Sequence, residues 1–172
     1  MKGSRHDRLR NAIYKTAQHA SLDPQKEMPG LVLGTLSRPA DVFIVNWVDG
    51  RMIAFDVSVS LPTQEAVVYQ AAQRPAAAID ARKQTKMQSH HENFQAQGIF
   101  FQPLVVETFG GWDSDALGFL KELARQDARR WGKDSAMEIK NFFQRLSITL
   151  QRGNAALLLE RDPEPPTQRP VC

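Results

Sequence analysis

Two aspartates, Asp41 and Asp56, stand on either side of the dipeptide Asp49-Gly50 in a run that reads RPADVFIVNWVDGRMIAFDVSVS over positions 38–60. An Asp-Gly pair between β-prone runs is a strong hairpin signal. With a two-residue turn, opposed residues sum to 99, so Asp41 faces Ser58 and Asp56 faces Phe43. The two carboxylates become diagonal neighbours on one face, with Cβ atoms about 7 to 8 Å apart. That is close enough for their oxygens to share one divalent cation. A register slip of a single residue would send them to opposite faces.

Asp56 follows Ile53, Ala54 and Phe55 and precedes Val57 and Val59, so its strand is too apolar for an ordinary surface aspartate. A charge buried there must be paired or bound to metal, because an isolated one costs several kcal/mol. Asp41 follows Pro39 at a strand entrance, where an aspartate also serves as a turn former. Two carboxylates completed by water suit Mg²⁺ or Mn²⁺, and such an ion activates water and offsets charge on a phosphodiester. That chemistry needs a lysine near the phosphate. Ala72, Ala76, Ile79, Lys83 and Lys86 share one helical stripe by spacing, which brings Lys83 and Lys86 to the edge of a sheet-packing face. A snorkelling lysine on an amphipathic helix explains the same pattern.

The elements that must position these groups are legible in the residues around them. Residues 4–20 carry Leu9, Ile13, Ala17 and Ala20 at helical spacing behind a capping Ser4. The stretch SLDPQKEMPG ends that helix, and LVLGTL offers a short extended piece. After the hairpin, positions 63–92 turn helical from Thr63, with Pro75 bending or dividing the helix and Gly98 closing the segment. IFFQPLVVE reads as a strand whose Pro103 points to an edge or an irregularity. Asp113 or Ser114 caps a helix through Arg130, and 135–159 form another. The order predicts an α/β sandwich: one domain over 1–160 built on a small mixed sheet flanked by helices, with two further C-terminal helices. Residues 161–172 hold four prolines and read as a disordered tail.

With 172 residues, the chain can bury a core without staples, and its only cysteine, Cys172, excludes an internal disulfide. No leader or membrane-spanning run is visible, which predicts a soluble intracellular protein or a piece of one. The net charge of +3 is mild, but cations recur in two groups, Arg5, Arg8, Arg10 and Lys15 at the start and Lys121 to Arg152 near the end. Such a pattern marks either solvated helix faces or a polyanion partner.

RPAD, then fourteen residues, then DV, followed by a helix with RKQTKM and a strand FFQPLVVET, resembles the restriction-like endonuclease domain of non-LTR retrotransposons, a branch of the PD-(D/E)XK nucleases. SRHDRLRNAIYKTA resembles the Arg-His-rich helix that precedes that domain. The resemblance implies a restriction-endonuclease-like three-layer core and a Mg²⁺- or Mn²⁺-dependent enzyme that nicks duplex DNA beside a reverse transcriptase in a parent polyprotein. It assigns Asp41 and Asp56 to the metal, Lys83 first and Lys86 second to the lysine that moved to the helix, and Glu27 to an added third acid. Arg5, His6, Arg38, Arg82, Arg125 and Arg129 are the expected contacts to DNA. A nuclear location follows if the host is eukaryotic, and homodimerisation is left open.

Three positions depart from the family pattern. Ala40 is inserted between Pro39 and Asp41, Ser58 replaces the strand lysine of the wider superfamily, and Met87 stands where tyrosine is usual. The upstream Cys/His zinc knuckle is also absent, which suggests an excised or truncated element or an independent host copy. Glu107 ends its strand within reach of the site or of the TFGGW turn, and His6, His19, His90 and His91 form no metal box by spacing. The rival readings are a catalytically degenerate DNA-binding or interaction domain and a structural appendage that holds a reverse transcriptase on its template.

Overall fold

Ser4 caps the first helix as its position predicts. In the computed structural model, which describes residues 4–31, 38–63, 68–74 and 76–161, helix α1 spans Arg5–His19. Ser4 Oγ accepts from the Asp7 amide while the Asp7 carboxylate accepts from the Ser4 amide, a reciprocal box that satisfies two orphan donors. Its predicted stripe of Leu9, Ile13, Ala17 and Ala20 is buried.

A two-residue strand β1 (Gln25–Lys26) follows, where a helix-ending coil was expected. Only polar residues carry it, and among the described residues its sole neighbour is strand β2 (Val42–Ile44), antiparallel. Neither feature leaves a periodic signature. β2 pairs antiparallel with β3 (Met52–Ser60), and β3 pairs parallel with β4 (Ile99–Glu107), so the sheet is mixed and ordered β1-β2-β3-β4. Pro103 lies in β4 at the sheet edge, where its missing N–H breaks no ladder on the open side.

The hairpin closes differently from the two-residue expectation. The Gly50 amide bonds to the Trp47 carbonyl, Gly50 takes φ +79°, and the Trp47 amide bonds to the Arg51 carbonyl. That is a three-residue loop in which Gly50 occupies the left-handed position of a bulge. A second irregularity at Val45-Asn46 moves the ladder again, to Val42↔Phe55, Phe43↔Ala54 and Ile44↔Ile53. Opposed residues therefore sum to 97, not 99. Two one-residue shifts restore the original faces over Val42–Ile44, and just before that ladder the Asp41 amide donates to the Phe55 carbonyl at 2.9 Å.

The division expected at position 75 is present as helices α2 (Val68–Gln73) and α3 (Ala77–Gln95), with Ala76 between them at φ +66°. This break resets the helical phase, so the stripe projected through Ala72 and Ala76 does not continue into α3. Asp113 caps α4 (Ser114–Trp131) by accepting from the Ala116 amide, and Gly132 ends it in the left-handed region. Helix α5 (Ser135–Arg161) completes the chain.

Side chains alternate across β3 and divide the molecule into layers. Ile53, Phe55 and Val57, with Leu104 and Val106 of β4, pack on Leu9 and Ile13 of α1, Leu120 and Leu123 of α4, and Phe142, Leu146 and Leu150 of α5. Ala54, Phe101 and Ile99 on the other face pack on Phe94 of α3. The α/β class, the small mixed sheet between helices and the two C-terminal helices are as the sequence predicts. The LVLGTL segment, apart from Leu31, and the tail from 162 onward lie outside the described residues, as does the start of the helical stretch after Thr63. Among the described residues no helix is long and apolar enough to cross a membrane.

Candidate functional site

The face of β3 turned toward α3 begins with Ala54 and then becomes polar: Asp56, Ser58 and Ser60, all buried. Such a row needs partners, and α3 supplies them at four-residue intervals. Ser60 Oγ donates to the Ala78 carbonyl at 2.9 Å, Arg82 Nε donates to Ser58 Oγ at 3.1 Å, and Lys86 Nζ lies 2.8 Å from Asp56 Oδ2. Four helical residues advance about 6.0 Å and two strand residues about 6.6 Å, so the two elements stay in step through all three contacts.

Asp41 enters from the mouth of β2. The Val57 amide donates to Asp41 Oδ2 at 2.7 Å, and His6 Nε2 donates to the same oxygen at 2.9 Å. These bonds bring Asp41 to the residue next to Asp56, and both carboxylates are nearly enclosed, at 8 % and 6 % exposure. A cavity of about 400 Å³ opens beside them, lined by His6, Ser58, Arg82 and Lys86.

Burial dominates the electrostatics of Asp56. Loss of solvation, partly offset by the Lys86 ammonium and reinforced by the charge of Asp41, raises its pKa to about 6. The Lys86 ammonium is the charge facing the buried Oδ2, at 2.8 Å, and the oxygen has no other donor among the described residues. The hydrogen bond to Asp41 raises the pKa of His6 against the opposing effect of burial. Two neighbouring buried carboxylates, one with an oxygen short of a donor, fit a hard cation that takes one or two carboxylates and completes its shell with water. A third protein ligand is not at hand: among the described residues no group of three or more His, Cys, Asp or Glu side chains could hold a metal.

Of the two lysines expected at the site, the structure brings only Lys86 to it. Lys83 is turned to the start of α4, 2.9 Å from Asp113 Oδ1 and also paired with Asp115. Within α3 the stripe that meets β3 is Ala78, Arg82 and Lys86, which retains Lys86 of the two expected lysines and leaves Lys83 out. Glu27 does not join the acids. Its amide donates to the Asp41 carbonyl at 3.1 Å, but its carboxylate is held by Arg10 and lies 3.7 Å from Arg38.

Among the expected DNA contacts, His6 and Arg82 are at the cavity. Arg5 also lines it, though its guanidinium bonds to Thr108 Oγ1 and Asn154 Oδ1. Arg38 is largely exposed beside Glu27, whereas Arg125 and Arg129 pair with Glu122 on α4. The tie between His6 and Asp41 was not foreseen, although both residues had been singled out. Contacts between α1 and the mouth of β2 span 35 residues and leave no local pattern.

Comparison with protein-family models, with curated proteins and with solved structures gave no match to this chain.

Proposed function

We propose that the chain is a Mg²⁺- or Mn²⁺-dependent endonuclease that nicks duplex DNA by phosphodiester hydrolysis. The convergence of Asp41, Asp56 and Lys86, one from each of three elements, beside an open cavity is the observation that carries the reading. The resemblance to the restriction-like endonuclease domain of non-LTR retrotransposons agrees with it, and a reverse transcriptase in a parent polyprotein is the partner that the resemblance implies. When bound, the metal would supply an activated water and charge neutralisation at the phosphate. Asp41 and Asp56 would hold it, with His6 fixing the orientation of Asp41. Lys86 would hold its positive charge at the scissile phosphate.

Supercoiled plasmid incubated with the chain and Mg²⁺ or Mn²⁺ is expected to yield nicked circles. EDTA abolishes the product, and Asp56→Asn lowers the rate at least a hundredfold. A chain that binds DNA but gives no metal-dependent nicking, with Asp56→Asn unchanged from the parent, defeats the enzyme reading.

A second reading rests on a specific feature of the same site. Each carboxylate already has a basic partner, Lys86 on Asp56 and His6 on Asp41, and Glu27 is engaged elsewhere. A degenerate DNA-binding or interaction domain would keep such a neutralised pair for its fold alone. The nicking assay separates the two.

A further inference from the structure

A second cavity lies away from the carboxylates. It is a groove of about 800 Å³ between α1 and α5, and its cationic lining is Arg8, Lys15, Lys133, Arg145 and Arg152. Against these five stand two acids, Asp127 and Glu138, an excess of three positive charges. The whole chain, with 22 Lys and Arg against 19 Asp and Glu, has the same excess. The groove therefore concentrates what the rest of the molecule balances.

Both acids lie beneath the rim and are already neutralised. Asp127, whose side chain is only 3 % exposed, pairs with His19 and lies 4.0 Å from Lys133, and Glu138 lies 3.0 Å from Arg145 and 3.7 Å from Lys133. Lys15 and Arg152 are exposed and make no hydrogen bond or ion pair among the described residues. Arg8 and Lys15 are seven residues apart on one helix, Arg145 and Arg152 seven apart on the other, so each rail carries cations about 10.5 Å apart. From Arg8 to His19 the groove runs about 16 Å, the axial rise of about five nucleotides of one strand. Its α1 stripe of His19, Thr16, Ala12 and Arg8 continues by the same spacing to Arg5, which lines the carboxylate cavity.

We infer that the groove between α1 and α5 holds the phosphodiester backbone of the DNA that flanks the cleavage point, with Lys15 and Arg152 as direct phosphate contacts. This rests on the nuclease reading for the identity of the polyanion, and it places the grip on residues other than Arg125 and Arg129. Phosphate contacts of this kind fix position and carry no sequence information.

Fluorescence anisotropy with a labelled 20-base-pair duplex, the full chain and EDTA in place of metal tests the groove without cleavage. Lys15→Gln with Arg152→Gln is expected to weaken binding about tenfold at low salt and to flatten the slope of log affinity against log salt by about 1.8, because each phosphate contact contributes about 0.9. An unchanged unfolding midpoint shows that the double variant is folded. If the double variant binds with the parental slope, the groove assignment is wrong even where plasmid nicking succeeds. If the slope flattens and nicking is absent, the groove stands and the enzyme reading falls. Equal displacement of the duplex by polyglutamate of matched charge identifies an acidic protein as the occupant and overturns the proposal.

Discussion

Lys86 and Asp56 face each other across the gap between α3 and β3, Nζ to Oδ2 at 2.8 Å. Three residues earlier on the same helix, Lys83 is bound to the cap of α4 instead. The two lysines thus divide between the candidate site and the cap of α4.

Lys86→Ala is expected to lower metal-dependent nicking by about 10² to 10³, the effect of removing one preorganised charge from a reacting centre. Lys83→Ala should leave nicking within a few-fold of the parent and cost about 1 kcal/mol of stability, since it strips a partner from the capping Asp113. Parallel nicking rates and urea unfolding curves decide it; the reverse ranking would return Lys83 to the site.

Asp56 makes stability depend on pH in an unusual direction. Its folded pKa, raised to about 6 by burial, lies above the ordinary value of 3.8, so the folded chain holds this proton more tightly than the unfolded chain. The stabilisation linked to it is complete below about pH 4 and is lost as pH rises through about 6. Asp56→Asn should therefore gain stability relative to the parent across that window, by about 2 to 3 kcal/mol at most. Unfolding of both proteins from pH 4 to 7.5 gives the difference curve, and a flat one refutes the raised pKa. Nicking, which needs the carboxylate, should rise over the same interval.

His6 behaves in the complementary way. The Asp41 carboxylate raises its pKa above 6.5, so its contribution is full below pH 6.5 and fades as pH climbs through the raised value. The ring is more than a third exposed, so His6→Gln should cost less than about 1 kcal/mol. The penalty should be measurable at pH 6 and absent at pH 9. An equal penalty at both values would assign His6 to packing alone.

Gly153 of α5 packs against Arg5 at the start of α1. A Cβ there would sit 2.7 Å from Arg5 Cγ and 3.2 Å from Arg5 Cα, and the backbone atom cannot swing aside. Gly153→Ala should destabilise by about 1 to 3 kcal/mol and loosen the Arg5 bonds to Thr108 and Asn154. A thermal midpoint equal to the parent's would show that the helices part without penalty.

The fold was legible wherever the signal was local. The Ser4 cap, the β-branched strands, the division between Gln73 and Ala77 and the Asp113 cap each follow from a few adjacent residues, and each is present. β1 escaped because two polar residues on an edge have no periodicity to read. Hairpin arithmetic used the wrong turn for Asp41 and Asp56: the two shifts at Gly50 and Val45-Asn46 have even parity and keep Val42–Ile44 on their expected faces, whereas Asp41, just outside that ladder, reaches β3 through its side-chain bond to the Val57 amide. Lys86 was ranked behind Lys83 by the family resemblance, since the counted stripe held both lysines. That stripe ran through Ala76, whose left-handed backbone changes the phase, and such a conformation at alanine has no signature in residue type.

The matched stride of α3 and β3 limits how this domain can change in length. Ala78, Arg82 and Lys86 meet Ser60, Ser58 and Asp56 only while the helix is counted in whole turns. A single inserted residue between Lys86 and the buried Phe94 would swing the lysine about 100° off the strand, whereas an added turn would return a side chain to the same bearing. Viable length changes in α3 are therefore quantised, arriving in threes and fours, and α2 and the segment around position 75 are left as the stretch where single residues can come and go.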